Sequence, residues 1–304
     1  MSSELTRRTL FGVIAAPVAI AILLYGGAPL AALLAVASAI GAWEFFRIAR
    51  ASGLTPLDDI GVAVAGLIPL VVHARFLRLY DPEGVVGPLS LAAIVLLAFL
   101  AVSIWTRGVD GKPLSAVAVT AFGAAYTGGM LSFGYAIWYH PYAFASAPLA
   151  LGGHAFSLPS GGLLLLLPVF TTWASDIGAY TAGRTLGRHK LIPAVSPGKT
   201  VEGAIGGVLA SMFVAWVYTR LVIHPSLHLD FRIPPVGVLG FGLLASIAAQ
   251  LGDLAESLLK REAGVKDSSH LIPGHGGILD RFDSLFFVMP ISYVLLGVLL
   301  TWAP

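Results

Sequence analysis

The chain has 304 residues, of which 57% are hydrophobic and 11% charged, a balance far outside that of water-soluble domains. Its net charge of +2, with no basic tail, gives no ground for a nucleic-acid partner. With no cysteine, disulfides, thiolate metal sites and thioester intermediates are excluded, and any metal must be held by oxygen or imidazole.

In chain order, Arg7 and Arg8 precede an apolar run that imitates a secretory signal. That run continues into further hydrophobic segments, so it reads as a retained first span. No residue is charged between Thr9 and Trp43, nor from Pro113 to Ser175, which a water-facing surface could not sustain. Breaking the chain at Gly, Pro and charge clusters, with about 20 apolar residues per span, predicts nine transmembrane helices. They lie near 9–25, 29–47, 60–75, 88–106, 115–138, 161–183, 203–223, 237–259 and 285–302. The expected fold is therefore all-α, a polytopic transmembrane bundle. The short 60–75 segment is its weakest element, because a re-entrant reading there would invert everything downstream.

Nine spans put all the Lys and Arg residues on one side except Arg75, Arg78, Arg220 and Arg232. Cytoplasmic loops retain positive charge, so this asymmetry predicts a cytoplasmic N-terminus. It also brings the polar loops at about 184–202 and 260–284 to the same face. Residues 1–160 read as a lipid-facing scaffold of N-terminal helices and 161–304 as the catalytic half.

Three stretches carry chemistry. In the first, Ser175-Asp176-Ile177-Gly178-Ala179-Tyr180 leads to Arg184. An intramembrane carboxylate is costly unless paired or metal-bound, and Asp176, Tyr180 and Arg184 share one helix face at i, i+4 and i+8. The plainer alternative is a buried Asp–Arg clamp tying two helices. The second is Ser196-Pro197-Gly198-Lys199-Thr200-Val201-Glu202-Gly203. Its helix start offers backbone N–H groups, Lys199 a mobile charge, and Ser196 and Thr200 hydroxyls for phosphate or cation. Lacking the upstream glycine of a phosphate loop, it also reads as a Pro/Gly turn with a capping Thr.

The third runs from Gly252-Asp253 to Asp280-Arg281-Phe282-Asp283. Asp253, Glu256, Ser257, Lys260 and Arg261 recur at three and four residues, a polar stripe able to grip anionic oxygens. Asp280 and Asp283 are again i, i+3, so carboxylates from two segments can converge on one hard cation such as Mg²⁺ held with phosphate oxygens. The glycines at 274, 276 and 277 allow close backbone approach to a ligand. Between them His275 suits ligand contact, but an ordinary loop histidine explains it equally well.

These residues resemble the phosphatidate cytidylyltransferase family, also called CDP-diacylglycerol synthases. The resemblance rests on Ser257-x-Leu259-Lys260-Arg261-x4-Lys266-Asp267-x-Ser269-x2-Ile272-Pro273-x-His275-Gly276-Gly277-Ile278-x-Asp280-Arg281-Phe282-Asp283, with the two upstream segments in matching order. It covers roughly residues 170–285, and Gly198 stands where many members have Lys.

The resemblance implies Mg²⁺-dependent transfer of a cytidylyl group from CTP to phosphatidate at the cytoplasmic face of the cell (inner) membrane. Asp253 and Asp280 would be the metal-binding carboxylates, with Asp283 close by and room for a second cation. Lys199, Lys260 and Arg281 would act in catalysis. Substrate contacts would come from Asp176, Ser196, Lys199, Thr200, Lys260, Arg261, Lys266 and His275. Membrane lipids surround such a protein, and a homodimer is implied by resemblance alone. Two alternatives stay open: a CTP-dependent transferase or kinase acting on polyprenol or another lipid phosphate, and an ion or solute transporter. Against the transporter stands the lack of a detectable inverted repeat.

Overall fold

The computed structural model describes residues 15–79, 87–139, 146–151, 154–226, 234–272 and 276–301. Its helices are α1 (Ala15–Tyr25), α2 (Gly27–Ala51), α3 (Asp58–Phe76), α4 (Pro88–Thr106), α5 (Pro113–Trp138), α6 (Ser160–Leu186), α7 (Val201–Ile223), α8 (Pro235–Glu262) and α9 (Leu279–Thr301). From α2 to α9 these are eight helices long and apolar enough to cross a membrane, and α1 is a shorter apolar helix over its described part. The chain is a polytopic helical membrane protein. The segment expected near 60–75 is a helix of 19 residues.

Local chemistry sets the ends. Pro88 and Pro113 open α4 and α5, where a missing N–H costs nothing and the fixed φ suits a first turn. Between α1 and α2 the chain turns at Gly26, whose φ of 72° is unfavourable for other residues. Leu89, Ile94, Leu97, Leu100, Ile104 and Trp105 on α4 are exposed. An apolar surface of that extent is stable only against hydrocarbon.

The chain forms two compact units interleaved along the sequence. One gathers Gly27–Tyr135 with Leu259–Phe282. In it α2 packs on α3 and α5 around Phe45, Phe46 and Tyr126. Gly61 and Gly123 leave room for the Phe46 ring, and a π-helical turn at Ala125–Gly129 carries α5 past α3.

The second unit holds α1, Ala136–Leu258 and the chain from Asp283 onward. Its central pair is α6 and α7. Here Gly178 meets Ala210 and the Gly206 carbonyl, Gly203 meets the Ala179 carbonyl, and Gly207 meets Ser175. Small residues let helix backbones approach closely where lipid supplies no hydrophobic drive. Tyr218 on α7 donates to the Leu163 carbonyl at 2.9 Å, and Ser211 to the Gly242 carbonyl at 2.9 Å, which ties α7 to α6 and α8.

Two short antiparallel hairpins interrupt the helices: β1 (Ser146–Leu151) with β2 (His154–Pro159), and β3 (Lys190–Ile192) with β4 (Ser196–Thr200). The second takes up the stretch expected to be a Pro/Gly turn. Lys190 Nζ closes it on the Pro197 carbonyl at 2.7 Å.

Candidate active site

Within the second unit a cavity of about 490 Å³ opens where the C-terminal end of α6, the β3–β4 hairpin, the start of α7 and the last turns of α8 meet. Asp176, Tyr180, Gly183 and Arg184 of α6 line it, as do Lys199 and Thr200 of β4 and Gln250 and Asp253 of α8. Asp176, Tyr180 and Arg184 thus share one wall, as their spacing requires, and Arg184 donates to the Tyr180 hydroxyl at 2.8 Å. Asp176 is exposed, unlike a carboxylate buried in a helix clamp.

Lys199 Nζ lies 2.7 Å from Asp253 Oδ2, with the two side chains 25% and 37% exposed. Ser257, one turn further along α8, points its hydroxyl at Asp253 Oδ1 at 3.4 Å. Beneath the cavity Gln250 Nε2 donates to the Ala204 carbonyl and the Ser246 hydroxyl, each at 3.1 Å, and Ser246 meets Ser175 at 2.7 Å. This polar chain joins α6, α7 and α8 under the carboxylates.

The hairpin that presents Lys199 is itself held. The Glu202 carboxylate accepts from the Arg188 amide at 3.0 Å and from the His189 amide, and pairs with His189 Nδ1 at 2.6 Å. Thr200 caps α7, accepting from the Gly203 amide at 3.1 Å. Ser196 stands in β4 outside the cavity wall. At the α8–α9 contact, a side chain on Gly252 would strike the Asp283 carbonyl and Ser284. The missing Cβ lets the backbone beside Asp253 pass close to that of Asp283. The Asp283 carboxylate accepts from the Ser284 amide at 2.6 Å.

The first unit holds a second polar cluster. Asp280, with a side chain 8% exposed, accepts from Lys260 Nζ at 2.7 Å, from the Ser268 amide and hydroxyl at 3.0 and 2.8 Å, and from the Gly277 amide at 2.8 Å. These donors engage both its oxygens, so a metal ion on Oδ1 would have to exchange with Lys260. Arg261 is exposed and turns back to the Val265 carbonyl at 3.3 Å. Lys266 and Arg281 are exposed, Glu256 is fully buried, and His275 lies outside the described residues.

Beside Asp280, Glu44 of α2 is fully buried. It accepts from the Ser269 hydroxyl at 2.5 Å, the Leu279 amide at 2.6 Å and the Ile278 amide at 3.1 Å, and it shares with Asp280 the single proton of the Ser268 hydroxyl, which lies 3.1 Å away. Each such donor left unmet in the interior would cost about 1–3 kcal/mol, so this carboxylate is integral to the segment it holds.

Among the described residues no group of three or more His, Asp or Glu gathers as a metal cage. Magnesium needs none, being commonly bound by one or two carboxylates with phosphate oxygens and water. Asp176 of α6 and Asp253 of α8, both lining the cavity, supply such hard donors, and Asp253 already balances an ammonium there. The donor set fits the ion.

A family profile described as the cytidylyltransferase family matches residues 6–299. Over 295 residues the chain is 31% identical to the phosphatidate cytidylyltransferase of Bacillus subtilis (strain 168), covering 97% of this chain and 98% of the relative. It is 46% identical over 144 residues to the phosphatidate cytidylyltransferase of Staphylococcus saprophyticus, covering 47% of this chain and 53% of that one. The chain belongs to the cytidylyltransferase family.

As a member of the cytidylyltransferase family it is a nucleotidyltransferase embedded in a membrane. The family likeness extends well beyond 170–285 and takes in α2, where Glu44 lies. Sequence reasoning passed over Glu44, although a carboxylate in Trp43-Glu44-Phe45-Phe46 meets the same intramembrane rule that singled out Asp176. Gln250 gave no such signal, being a neutral residue one turn before Asp253.

Proposed function

We propose that the chain transfers the cytidylyl group of CTP to phosphatidate, giving CDP-diacylglycerol and pyrophosphate, at the cytoplasmic face of the cell (inner) membrane. The observation that carries this reading is the cavity in which Lys199 and Asp253 are paired beside Asp176, Tyr180 and Arg184. Its volume of about 490 Å³ falls in the range of small-molecule sites. Supporting it are the two relatives above, each named for phosphatidate as the acceptor.

The chemistry asks for alignment and charge neutralisation rather than a strong base. A phosphomonoester has a second pKa of about 6 and is largely dianionic near neutral pH, so its oxygen can attack the α-phosphorus of CTP directly. One P–O bond forms to the lipid phosphate, the bond from the α-phosphorus to the bridging oxygen breaks, and pyrophosphate leaves with the electron pair. Bound Mg²⁺ would supply Lewis-acid neutralisation of the phosphate oxygens. Asp253 would hold it, with Asp176 on the same cavity. Lys199, relieved of Asp253, would turn to the triphosphate, and Arg184 would add a second positive charge. In the other cluster Asp280 would accept a cation only in exchange for Lys260, which would free that ammonium for an anionic oxygen. Arg261, Lys266 and Arg281 are proposed as further contacts for the anionic substrates.

The test is an acceptor panel in mixed micelles, with CTP labelled at the α-phosphate and phosphatidate or polyprenyl phosphate as acceptor. Label should enter CDP-diacylglycerol with release of unlabelled pyrophosphate. Label entering only the polyprenyl product would overturn the choice of acceptor.

A further inference from the structure

We infer that Glu44 is a positioning residue that sets Ser268, Ser269 and the start of α9 and, through Ser268, orients Asp280 and Lys260. A carboxylate whose task is to staple transmembrane helices would be expected to meet an Arg or Lys on a neighbouring helix. The four donors described for Glu44 are instead neutral hydroxyls and amides. All come from one stretch of chain, 224 to 235 residues away in sequence. Two are amides at the opening of α9, which have no partner within the helix and which a negative charge stabilises.

The surroundings are shaped for this carboxylate. A side chain at Gly277 would collide with both Glu44 and the Ser268 hydroxyl, so the backbone is bare where they meet. Ser268 also contacts Asp280, whose Oδ1 holds Lys260 at 2.7 Å. The line Glu44–Ser268–Asp280–Lys260 therefore runs from the N-terminal half of the chain to two residues proposed to act on substrate. A glutamine at 44 has one acceptor oxygen where the carboxylate has two. Its amide group would face an N–H or O–H donor.

The consequence for turnover rests on the proposed cytidylyl transfer; the consequence for the loop does not. The chain has no cysteine, so a single Leu271→Cys reports on the loop. Leu271 is 52% exposed, and its amide donates to the Ser269 hydroxyl at 3.1 Å. Maleimide labelling of this cysteine and steady-state turnover are measured with native Glu44, with Glu44→Gln and with Ser268→Ala. Glu44→Gln should speed labelling and lower kcat about 10- to 100-fold, the usual effect of removing a group that orients an active-site carboxylate, while KM for CTP stays unchanged. Native labelling and kcat in that variant would overturn the inference.

Should Glu44→Gln fail to fold, Ser268→Ala decides. It leaves three of the four donors in place, so the unfolding temperature should hold while kcat falls. An unchanged kcat would count against the inference. If the native enzyme shows no turnover with CTP and phosphatidate, the labelling arm decides alone: faster labelling in Glu44→Gln upholds the positioning role, and unchanged labelling refutes it.

Discussion

Asp253 and Lys199 neutralise one another at 2.7 Å, and each makes a separate prediction. Asp253→Asn keeps the shape and removes the charge, so it should cost about 10²–10³-fold or more in kcat, the scale seen when an electrostatic partner of a transition state is lost. Unfolding in detergent should be unaltered, which differential scanning fluorimetry would check. Lys199→Ala removes one charge-assisted contact, worth about 1.5–3 kcal/mol, and should appear mainly as a higher KM for CTP; an unchanged dependence of rate on CTP concentration would remove Lys199 from the site. At this scale the sequence was informative where partners are near in the chain. The spacing of Asp176, Tyr180 and Arg184 identified their common wall, and a polar group one turn from Asp253 was visible as Ser257. What the sequence did not disclose depends on distant contacts. Glu44 finds its donors more than 220 residues away, and around Asp280 the Lys260 ammonium comes from the end of α8 while the Ser268 and Gly277 donors come from a loop whose path has no local periodicity.

The helices followed hydrophobicity, and the eight long ones lie close to their expected positions, except that α9 opens at Leu279, six residues before the expected 285, so that Asp280 and Asp283 stand in its first turns and not in a loop. Hydrophobic length was a sufficient signal because a span must satisfy its backbone internally. The β3–β4 hairpin was not legible, since strands of three and five residues around Pro197 and Gly198 carry no readable alternation. Yet this hairpin presents Lys199, and Glu202 is its anchor. Glu202→Ala should therefore raise KM for CTP while leaving the unfolding midpoint close to native, and enzyme kinetics beside a thermal melt would separate the two. A loss of stability is expected from Gly203→Val on the α6–α7 contact, where a Cβ would stand 2.8 Å from the Ala179 carbonyl. Overpacking of this kind costs about 1–3 kcal/mol, so the melt should shift downward. A native melt would show that the two helices can part at no cost.

For the whole molecule, a string of spans does not disclose which segments group into which compact unit. The signature stretch Leu259–Phe282 belongs to a compact unit with the N-terminal helices, whereas Lys199 and Asp253 belong to the other. Sidedness is open to direct test because the chain is free of cysteine. With a cytoplasmic N-terminus, a membrane-impermeant thiol reagent should label Arg220→Cys in intact cells and Arg188→Cys only after permeabilisation; the reverse would invert the proposed orientation. Asp253 and its cavity are proposed to carry metal-dependent cytidylyl transfer. The most direct test compares the native protein with Asp253→Asn in phosphatidate micelles containing α-labelled CTP and Mg²⁺, with EDTA controls. Labelled CDP-diacylglycerol from the native protein, abolished by EDTA and by the substitution, is the expected result. Product formed at the native rate by Asp253→Asn, or by the native protein in EDTA, would contradict the account.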